Sequence, residues 1–227
     1  MAKTKVSRKE LLKRPDEFLT FSSKVITFAQ EHSHQFRYLG IAVIAAILIY
    51  LGINTYIKYI NKKGQNAYNM AYYTIVKNIG PGKDQDNTKN PEELFKQVID
   101  RYGISKAARL ALPELAYMKF RQKQYDEAIS MYQEFLDEVS DDTYKSLARM
   151  GLAACYEEKG EFEKAIHALE LIISGPDDFF KEQAMLSLAR VYRLSHREEK
   201  SNKILEEFVN RFKNSPFLPI AKAYLKP

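Results

Sequence analysis

The chain has 227 residues with 35 Lys and Arg against 29 Asp and Glu, a single Cys and no Trp. Its net charge of +6 is uneven, because residues 1–37 contain eight basic and four acidic side chains whereas residues 58–227 contain 27 and 25. A nearly neutral main segment disfavours nucleic acid as a partner, one Cys excludes an intramolecular disulfide, and the length suits one domain of roughly 170 residues beside a shorter segment.

Residues 1–37 are predicted to form a basic tail that contains an amphipathic helix. Pro15 suits the first helical position, and Asp16 and Glu17 favour the positive N-terminus of a helix. Apolar residues follow at spacings of three and four at Phe18, Leu19, Phe21, Val25, Ile26, Phe28 and Ala29. Three interpretations stay open: a helix lying on the cytoplasmic face of a bilayer, a docking helix for a membrane partner, or a helix that only precedes the next segment.

Residues 38–57 contain no charged side chain, and ten of them are Leu, Ile or Val. A helix of this length measures about 30 Å, the thickness of the hydrocarbon core of a bilayer. Tyr38 borders one end and Tyr56, Lys58 and Tyr59 the other, which is typical of membrane interfaces. The stretch is apolar all round, unlike a helix of a soluble domain, and it is too long and too late for a signal peptide. The sequence therefore predicts one uncleaved transmembrane helix.

Charge alone does not decide which side of the membrane each end occupies. The eight basic residues before the span favour a cytoplasmic N-terminus under the positive-inside rule. Close to the span the count of basic residues favours the opposite orientation, because residues 18–37 contain two and residues 58–77 contain four. The orientation therefore stays open on this criterion.

Beyond the span, helical spacing of apolar residues predicts that the spanning helix continues into the domain. The residues concerned are Ala67, Tyr68, Ala71, Tyr72 and Ile75. Residues 78–90 are rich in Gly, Asp and Asn and are predicted to form a loop. A new helix is expected after this loop, with Asn90 as its cap, Pro91 in its first position and acidic residues in its first turn.

The rest of the chain repeats a unit of constant internal spacing. Three leading leucines, Leu115, Leu152 and Leu188, each stand 13 residues before a small residue and 17 before a large apolar one. The copies are 37 and then 36 residues apart, which predicts stacked helical hairpins. Small residues are expected where the paired helices approach most closely, at Ala116, Ala153 and Ala189 in the first helices and Ala128, Ala165 and Ser201 in the second.

The middle copy, Leu152-Ala153-x-x-Tyr156 … Gly160-x-Phe162-x-x-Ala165, resembles the tetratricopeptide repeat (TPR), a helix-turn-helix of about 34 residues. The other copies are looser, with Lys119 in place of the helical Tyr and Glu198 in place of the turn aromatic. The resemblance implies an all-α fold in which a single transmembrane helix precedes a TPR-like solenoid over residues 58–227. Its units and C-terminal capping helix are expected at about 62–102, 106–139, 143–174, 179–213 and 216–225.

No pattern of residues indicates catalysis, a cofactor or a metal site. The four histidines have no acid or nucleophile at an informative spacing, and no Gly-rich phosphate loop is present. Cys155 falls on the packed face of a predicted helix and is expected to be a buried structural thiol. We therefore expect a protein that is not an enzyme.

In a TPR register the first helices line a concave face that can hold an extended or helical segment of a partner protein. The positions expected on this face are Tyr117, Phe120 and Arg121, then Met150, Ala154 and Glu157, then Leu186, Arg190 and Arg193. The Lys and Asn clamp with which some TPR modules bind chaperone C-termini cannot be assembled from these positions, which argues against that class of partner.

The order of a basic tail, one span near residue 40 and a TPR domain resembles the YfgM family of ancillary Sec translocon subunits. This resemblance implies a bacterial inner-membrane protein with a cytoplasmic N-terminus, a periplasmic TPR domain, and translocon subunits, periplasmic chaperones or secreted clients as partners. The alternative is a TPR adaptor that organises envelope-assembly or cell-division complexes. Ala42 and Ala46 form a small-x-x-x-small pair, weak evidence for dimerisation that leaves a homo-oligomer open.

Overall fold

The computed structural model describes residues 17–78 and 90–225, and every regular element in these ranges is a helix. The helices are α1 (Glu17–Glu31), α2 (Ser33–Asn78), α3 (Pro91–Tyr102), α4 (Lys106–Arg121), α5 (Tyr125–Glu138), α6 (Asp142–Glu158), α7 (Phe162–Ile173), α8 (Lys181–Leu194), α9 (Glu198–Arg211) and α10 (Leu218–Tyr224). The predicted all-α class is confirmed. The basic residues 1–14, the helix start at Pro15 and Asp16, and most of the predicted loop, 79–89, lie outside the described residues.

The chain divides into two compact units, Met1–Tyr56 and Ile57–Pro227. In the first unit, α1 leaves Phe21, Val25 and Ile26 exposed. The apolar stretch 38–57 is helical throughout and lies within α2, the one helix of the described chain that is long and apolar enough to cross a membrane. None of this apolar window is buried inside the protein, unlike the core helix of a soluble domain.

The second unit begins with the remainder of α2, which packs against α3 and α4. Ala71 is fully buried beside Phe95 and Val98 of α3. The expected start of α3 is confirmed, because the side chain of Asn90 accepts a hydrogen bond from the Glu92 amide at 3.1 Å and Pro91 occupies the first turn. This cap satisfies one of the amides that a helix N-terminus leaves without an internal partner.

Three helical hairpins follow, formed by α4 with α5, α6 with α7, and α8 with α9. All six small residues expected at the helix crossings are buried, so that prediction is confirmed. In the last hairpin, the hydroxyl of Ser201 on α9 donates to the main-chain carbonyl of Ala189 on α8 at 2.8 Å, a direct contact between the two helices. The successive hairpins share continuous apolar clusters, as expected for a solenoid.

The turns inside the three hairpins have the same backbone geometry. Lys123, Gly160 and His196 occupy equivalent positions and have φ values of 62°, 73° and 57°. The amide of each donates to the carbonyl three residues earlier, and the next amide donates to the carbonyl five residues earlier. A left-handed residue at this position is thus common to all three hairpins, although only the middle one, with Gly160, uses the residue type best suited to it.

A side chain in each first helix connects its hairpin to the preceding unit. The hydroxyl of Tyr156 accepts a hydrogen bond from Gln133 of α5, and the hydroxyl of Tyr192 donates to Glu170 of α7. Lys119, which replaces the helical Tyr in the first of the three copies, forms an ion pair with Glu92 of α3 at 2.9 Å. The three residues therefore connect neighbouring units with different chemistry.

The last helix, α10, covers the end of the solenoid and starts later than its sequence signals indicate. Residues 215–217 form a turn in which the amide of Leu218 donates to the carbonyl of Ser215, so the helix begins at Leu218 rather than at Pro216. The hydroxyl of Ser215 also donates to Glu182 of α8 at 2.5 Å. Ala221 is buried against α8 and α9.

Candidate functional site

The predicted partner-binding residues of α4 separate into two groups. Tyr117 is half exposed, and Arg121 lies over its ring with the guanidinium carbon 6.0 Å from the ring centre. The guanidinium also donates to the Tyr117 hydroxyl at 3.2 Å, which fixes the two side chains together. Phe120 instead packs into the α4–α6 cluster and lies 5.7 Å from the ring of Tyr125, so it belongs to the hairpin core.

Tyr117 and Arg121 line a groove of about 610 Å³ between α2 and α4. Its opposite wall consists of Tyr72, Ile75 and Val76 of α2. We call this the α2–α4 groove. From the sequence, Tyr72 and Ile75 are recognisable only as positions on a helix. The four-residue step from Tyr72 to Val76 places both residues on the groove side of α2, but the same spacing is equally compatible with a buried face.

A carboxyl group lies among the largely aromatic and aliphatic walls of the α2–α4 groove. Glu114 of α4 is partly buried and accepts a hydrogen bond from the hydroxyl of Tyr68 at 3.3 Å. Burial raises the pKa of the Glu114 carboxyl, while the hydrogen bond from Tyr68 acts in the opposite direction. Together with the Arg121 guanidinium, this group gives the groove polar contacts of both signs in an aromatic surround.

The middle positions of the predicted set are less accessible. Met150 is partly buried against the α6–α8 cluster, and Ala154 beside it is only partly exposed. Glu157 accepts two hydrogen bonds from Arg190 of α8, at 2.8 and 3.0 Å. Met150 and Glu157 therefore make contacts with neighbouring helices of the solenoid.

The arginine pair of α8 is engaged within the chain. Arg190 is held by Glu157, and Arg193 lies 4.9 Å from the ring centre of Tyr224 and donates to the main-chain carbonyl of that residue. Leu186, both arginines and Tyr224 line a cavity of about 220 Å³ that α10 partly closes. The sequence missed this closure because the pairing of Arg193 with Tyr224 joins residues 31 positions apart.

The described residues provide little reactive chemistry. Cys155 is fully buried, and burial raises the pKa of its thiol to about 11, so the nucleophilic thiolate is suppressed. No group of three His, Cys, Asp or Glu side chains within the described ranges is arranged to hold a metal ion. The α2–α4 groove offers aromatic faces, aliphatic walls and one guanidinium, a combination enriched where proteins bind other proteins.

Comparison with known proteins supports the TPR character of these hairpins. The family model described as a tetratricopeptide repeat-like domain matches residues 33–185. No curated protein matches the sequence.

Solved structures with a similar fold are also TPR proteins. A tetratricopeptide repeat protein from Parabacteroides merdae aligns over 72% of this chain with a TM-score of 0.55 and 17% identity, and the alignment covers only 59% of that protein. Nearly identical TPR-like repeats of a Podosopora anserina protein assigned as a kinesin light chain align over 71% of this chain and 82% of their own length, with a TM-score of 0.54 and 16% identity. Similarity at these identities establishes the fold alone.

Proposed function

Because the chain belongs to the tetratricopeptide repeat-like domain family, we propose that it is a membrane-anchored scaffold that binds other polypeptides and catalyses no reaction. The observation that carries this proposal is the α2–α4 groove, in which Tyr72, Val76 and Tyr117 are 49%, 47% and 50% exposed. Exposed aromatic and aliphatic side chains gathered in one groove are costly in water, and a bound polypeptide would remove them from it.

The chemistry of the groove indicates the kind of segment that it accepts. The aromatic walls favour apolar side chains, and the guanidinium of Arg121 can pair with a carboxylate or a main-chain carbonyl of the ligand. The hydrogen bond from Arg121 to Tyr117 holds both groups in place before binding, which lowers the entropic cost of ordering them. We therefore propose an apolar segment with an acidic or carbonyl group at one end as the ligand.

The anchor is assigned to residues 38–57. Large apolar residues of this stretch are 41–71% exposed in the chain, an arrangement that is stable in hydrocarbon and unstable in water. Helical backbone over the whole stretch leaves no amide or carbonyl without an internal partner, as a bilayer requires. We propose that this stretch crosses the membrane once.

We further propose a bacterial inner-membrane location with a cytoplasmic N-terminus and a periplasmic TPR domain, in association with the Sec translocon and with periplasmic chaperones or secreted clients. This finer assignment is supported by the order of a basic tail, one apolar span and a TPR domain, which resembles the YfgM family. The near-neutral charge of residues 58–227 is also compatible with clients of varied sequence. A fusion of alkaline phosphatase after Pro227 should be active and a fusion of green fluorescent protein dark; the reverse pattern would contradict the orientation.

Photocrosslinking from the groove tests the ligand assignment. A photoreactive amino acid at Tyr117 in the full chain, expressed in cells, should form adducts with a translocon subunit, a chaperone or a secreted protein undergoing export. The same probe at Phe179, which is 70% exposed but distant in sequence and not part of the groove, is the matched control. Equal recovery of unselected envelope proteins from both positions would refute docking in the groove.

A second variant separates docking from folding. In the chain with the probe at Tyr117, Val76→Asp should reduce the adducts strongly because it adds a charge to the apolar wall, whereas Ile220→Asp on α10 should not. Val76 and Ile220 are similarly exposed, so neither change disturbs a core. Unchanged adducts in the Val76→Asp chain would contradict the proposal even when the TPR family assignment is correct.

A further inference from the structure

The turn between α3 and α4 is fixed against α2 directly after the apolar stretch. The amide of Lys106 donates to the side-chain oxygen of Asn61 at 2.9 Å. Gly64 is buried beneath Ser105, and a Cβ on Gly64 would lie 2.6 Å from the Ser105 hydroxyl, so only glycine permits this approach. The turn is therefore docked four to seven residues beyond Ile57, the last residue of the apolar stretch.

This position corresponds to the depth of lipid headgroups. Asn61 is four residues past Ile57, and a helix rises 1.5 Å per residue, so Asn61 lies about 6 Å beyond the end of the apolar stretch. The polar layer on each side of a bilayer is about 5–7 Å thick. Residues 58–61 continue the helix beyond the apolar stretch. A turn held at Asn61 therefore lies at the outer boundary of the polar headgroup layer.

Five exposed basic side chains surround this turn. Together with Ile104 they form a surface that we call the basal edge. They are Lys58, Lys62 and Lys63 of α2, Arg101 at the end of α3 and Lys106 at the start of α4. Among the described residues none of the five forms an ion pair. Helix α2 contains no acidic residue over its whole length, and the acid adjacent to the group, Asp100, is itself exposed.

The same edge carries an apolar residue at its tip. Ile104 stands in the turn between α3 and α4 and is 65% exposed, and Tyr59 of α2 is 57% exposed. Lys63 and Arg101 also line a groove of about 330 Å³ between α2 and α3, whose walls contain no carboxylate. Basic side chains around an exposed isoleucine are typical of surfaces that contact anionic membranes.

We propose that the basal edge binds an anionic phospholipid surface, with the lysines and arginine on the phosphate groups and Ile104 inserted among the headgroups. This inference rests on the proposed membrane span but adds a second, discontinuous contact made by the TPR domain itself. Asn61 and Gly64 join the turn to α2, so the turn and this part of α2 contact the surface together. We favour anionic lipid over an acidic protein as the ligand because the basal edge lies on α2 just beyond the apolar stretch, where lipid headgroups are expected.

The absence of Trp from the chain allows a direct test. Ile104→Trp introduces a single Trp at the exposed tip, which can be excited apart from the tyrosines, and Phe179→Trp provides one at a site that is 70% exposed and not part of the basal edge. Each full-length variant is reconstituted in nanodiscs of phosphatidylcholine, with and without an equal part of phosphatidylglycerol. Quenching by lipids brominated in the upper acyl chain measures contact with the bilayer, and circular dichroism confirms the fold.

We expect the I104W emission to shift to shorter wavelength and to be quenched at least about twofold more in discs that contain phosphatidylglycerol. Adding Lys62→Gln and Lys106→Gln to I104W should remove most of that difference. The F179W emission should respond to neither lipid.

Two results would overturn the proposal while the anchor assignment stands. One is equal, weak quenching of I104W and F179W in chains that co-elute with the discs. The other is quenching of I104W that is identical in neutral and anionic discs and unaffected by the two Lys→Gln changes. A full-length chain that elutes in water apart from the discs would instead overturn the membrane span and this contact together.

Discussion

Glu157 of α6 and Arg190 of α8 form a two-point ion pair between neighbouring TPR units, with N–O distances of 2.8 and 3.0 Å. The Glu157 side chain is 15% exposed and that of Arg190 is 58% exposed. The carboxylate is therefore the shielded partner, and it depends on the arginine for its counter-charge. Both residues are predicted partner contacts, yet in this chain each satisfies the other.

Arg190→Ala should therefore act on stability rather than on partner binding. We expect a loss of about 1 kcal/mol, because Glu157 would be left shielded and unpaired. Thermal unfolding of the full chain in mild detergent, followed by circular dichroism, measures this loss. Adding Glu157→Gln should recover part of it by removing the isolated charge. Crosslinking from Tyr117 should be unchanged, and a loss of those adducts in the R190A chain would contradict this division of roles.

The left-handed residues of the hairpin turns provide a second prediction. Lys123 and His196 are exposed and hold φ near +60°, which costs an L-residue about 1–2 kcal/mol. Replacing either by Gly should stabilise the protein by about 0.5–1 kcal/mol, after the greater freedom of Gly in the unfolded chain is subtracted. Gly160→Ala should destabilise by a similar amount, since no atom lies within 4 Å of the added methyl and only the backbone conformation opposes it. The urea unfolding midpoints of the three variants measure these changes in stability. A destabilised K123G chain would refute the prediction.

Gly151 is expected to be far less tolerant than Gly160. A Cβ at Gly151 would come within 2.6 Å of Cε1 of Tyr132, and closer still to Cζ. The Tyr132 ring is buried, so its displacement would disturb the packing around it, and Gly151→Ala should cost about 1–3 kcal/mol. In a double-mutant cycle, Tyr132→Leu should relieve much of this cost by removing the ring. Additive losses in the G151A/Y132L chain would show that the contact is not the cause.

The buried thiol predicts a pH dependence at the alkaline side. Burial raises the pKa of Cys155 to about 11, whereas a thiol in an unfolded chain has a pKa of about 8.5. The folded state favours the neutral thiol, so this contribution is complete below about pH 8.5 and is lost as the pH rises towards about 11. The expected loss is about 3 kcal/mol at most.

Cys155→Ala provides the comparison for that effect. The variant retains every tyrosine and lysine that titrates at high pH, so the difference between the two stability curves isolates the thiol. Wild-type stability should fall more steeply than that of C155A between pH 8.5 and 11, in urea titrations at constant ionic strength. Parallel curves would refute the assignment.

The hairpin architecture is predictable from the sequence because its determinants are local. Ala153 and Ala165 are 12 positions apart in one unit, and their small size is required by the close approach of paired helices. The cap at Asn90 is likewise encoded within three residues. The positive φ of Lys123 and His196 was not predicted because Lys and His are not typical of this conformation. Only their alignment with Gly160 in the repeat could have indicated it.

The candidate site is less predictable because its accessibility depends on contacts between distant parts of the chain. Nothing near Arg193 in the sequence indicates that Tyr224 of α10 covers it. Phe120 has the spacing of a surface position, yet its ring lies in the α4–α6 cluster. The α2 wall of the groove could not be predicted, because the apolar residues of that helix are equally compatible with a membrane span or a packed face.

The placement of α10 limits how this protein can lengthen during evolution. Ala221 and Phe217 occupy the surface of α8 and α9 on which another hairpin would stack. A duplicated hairpin added after Arg211 would have to displace α10, whereas one inserted between α5 and α6 would meet the same kind of neighbour on both sides. Lineages with longer versions of this chain should therefore carry their additional hairpins inside the array and keep the terminal helix at its end.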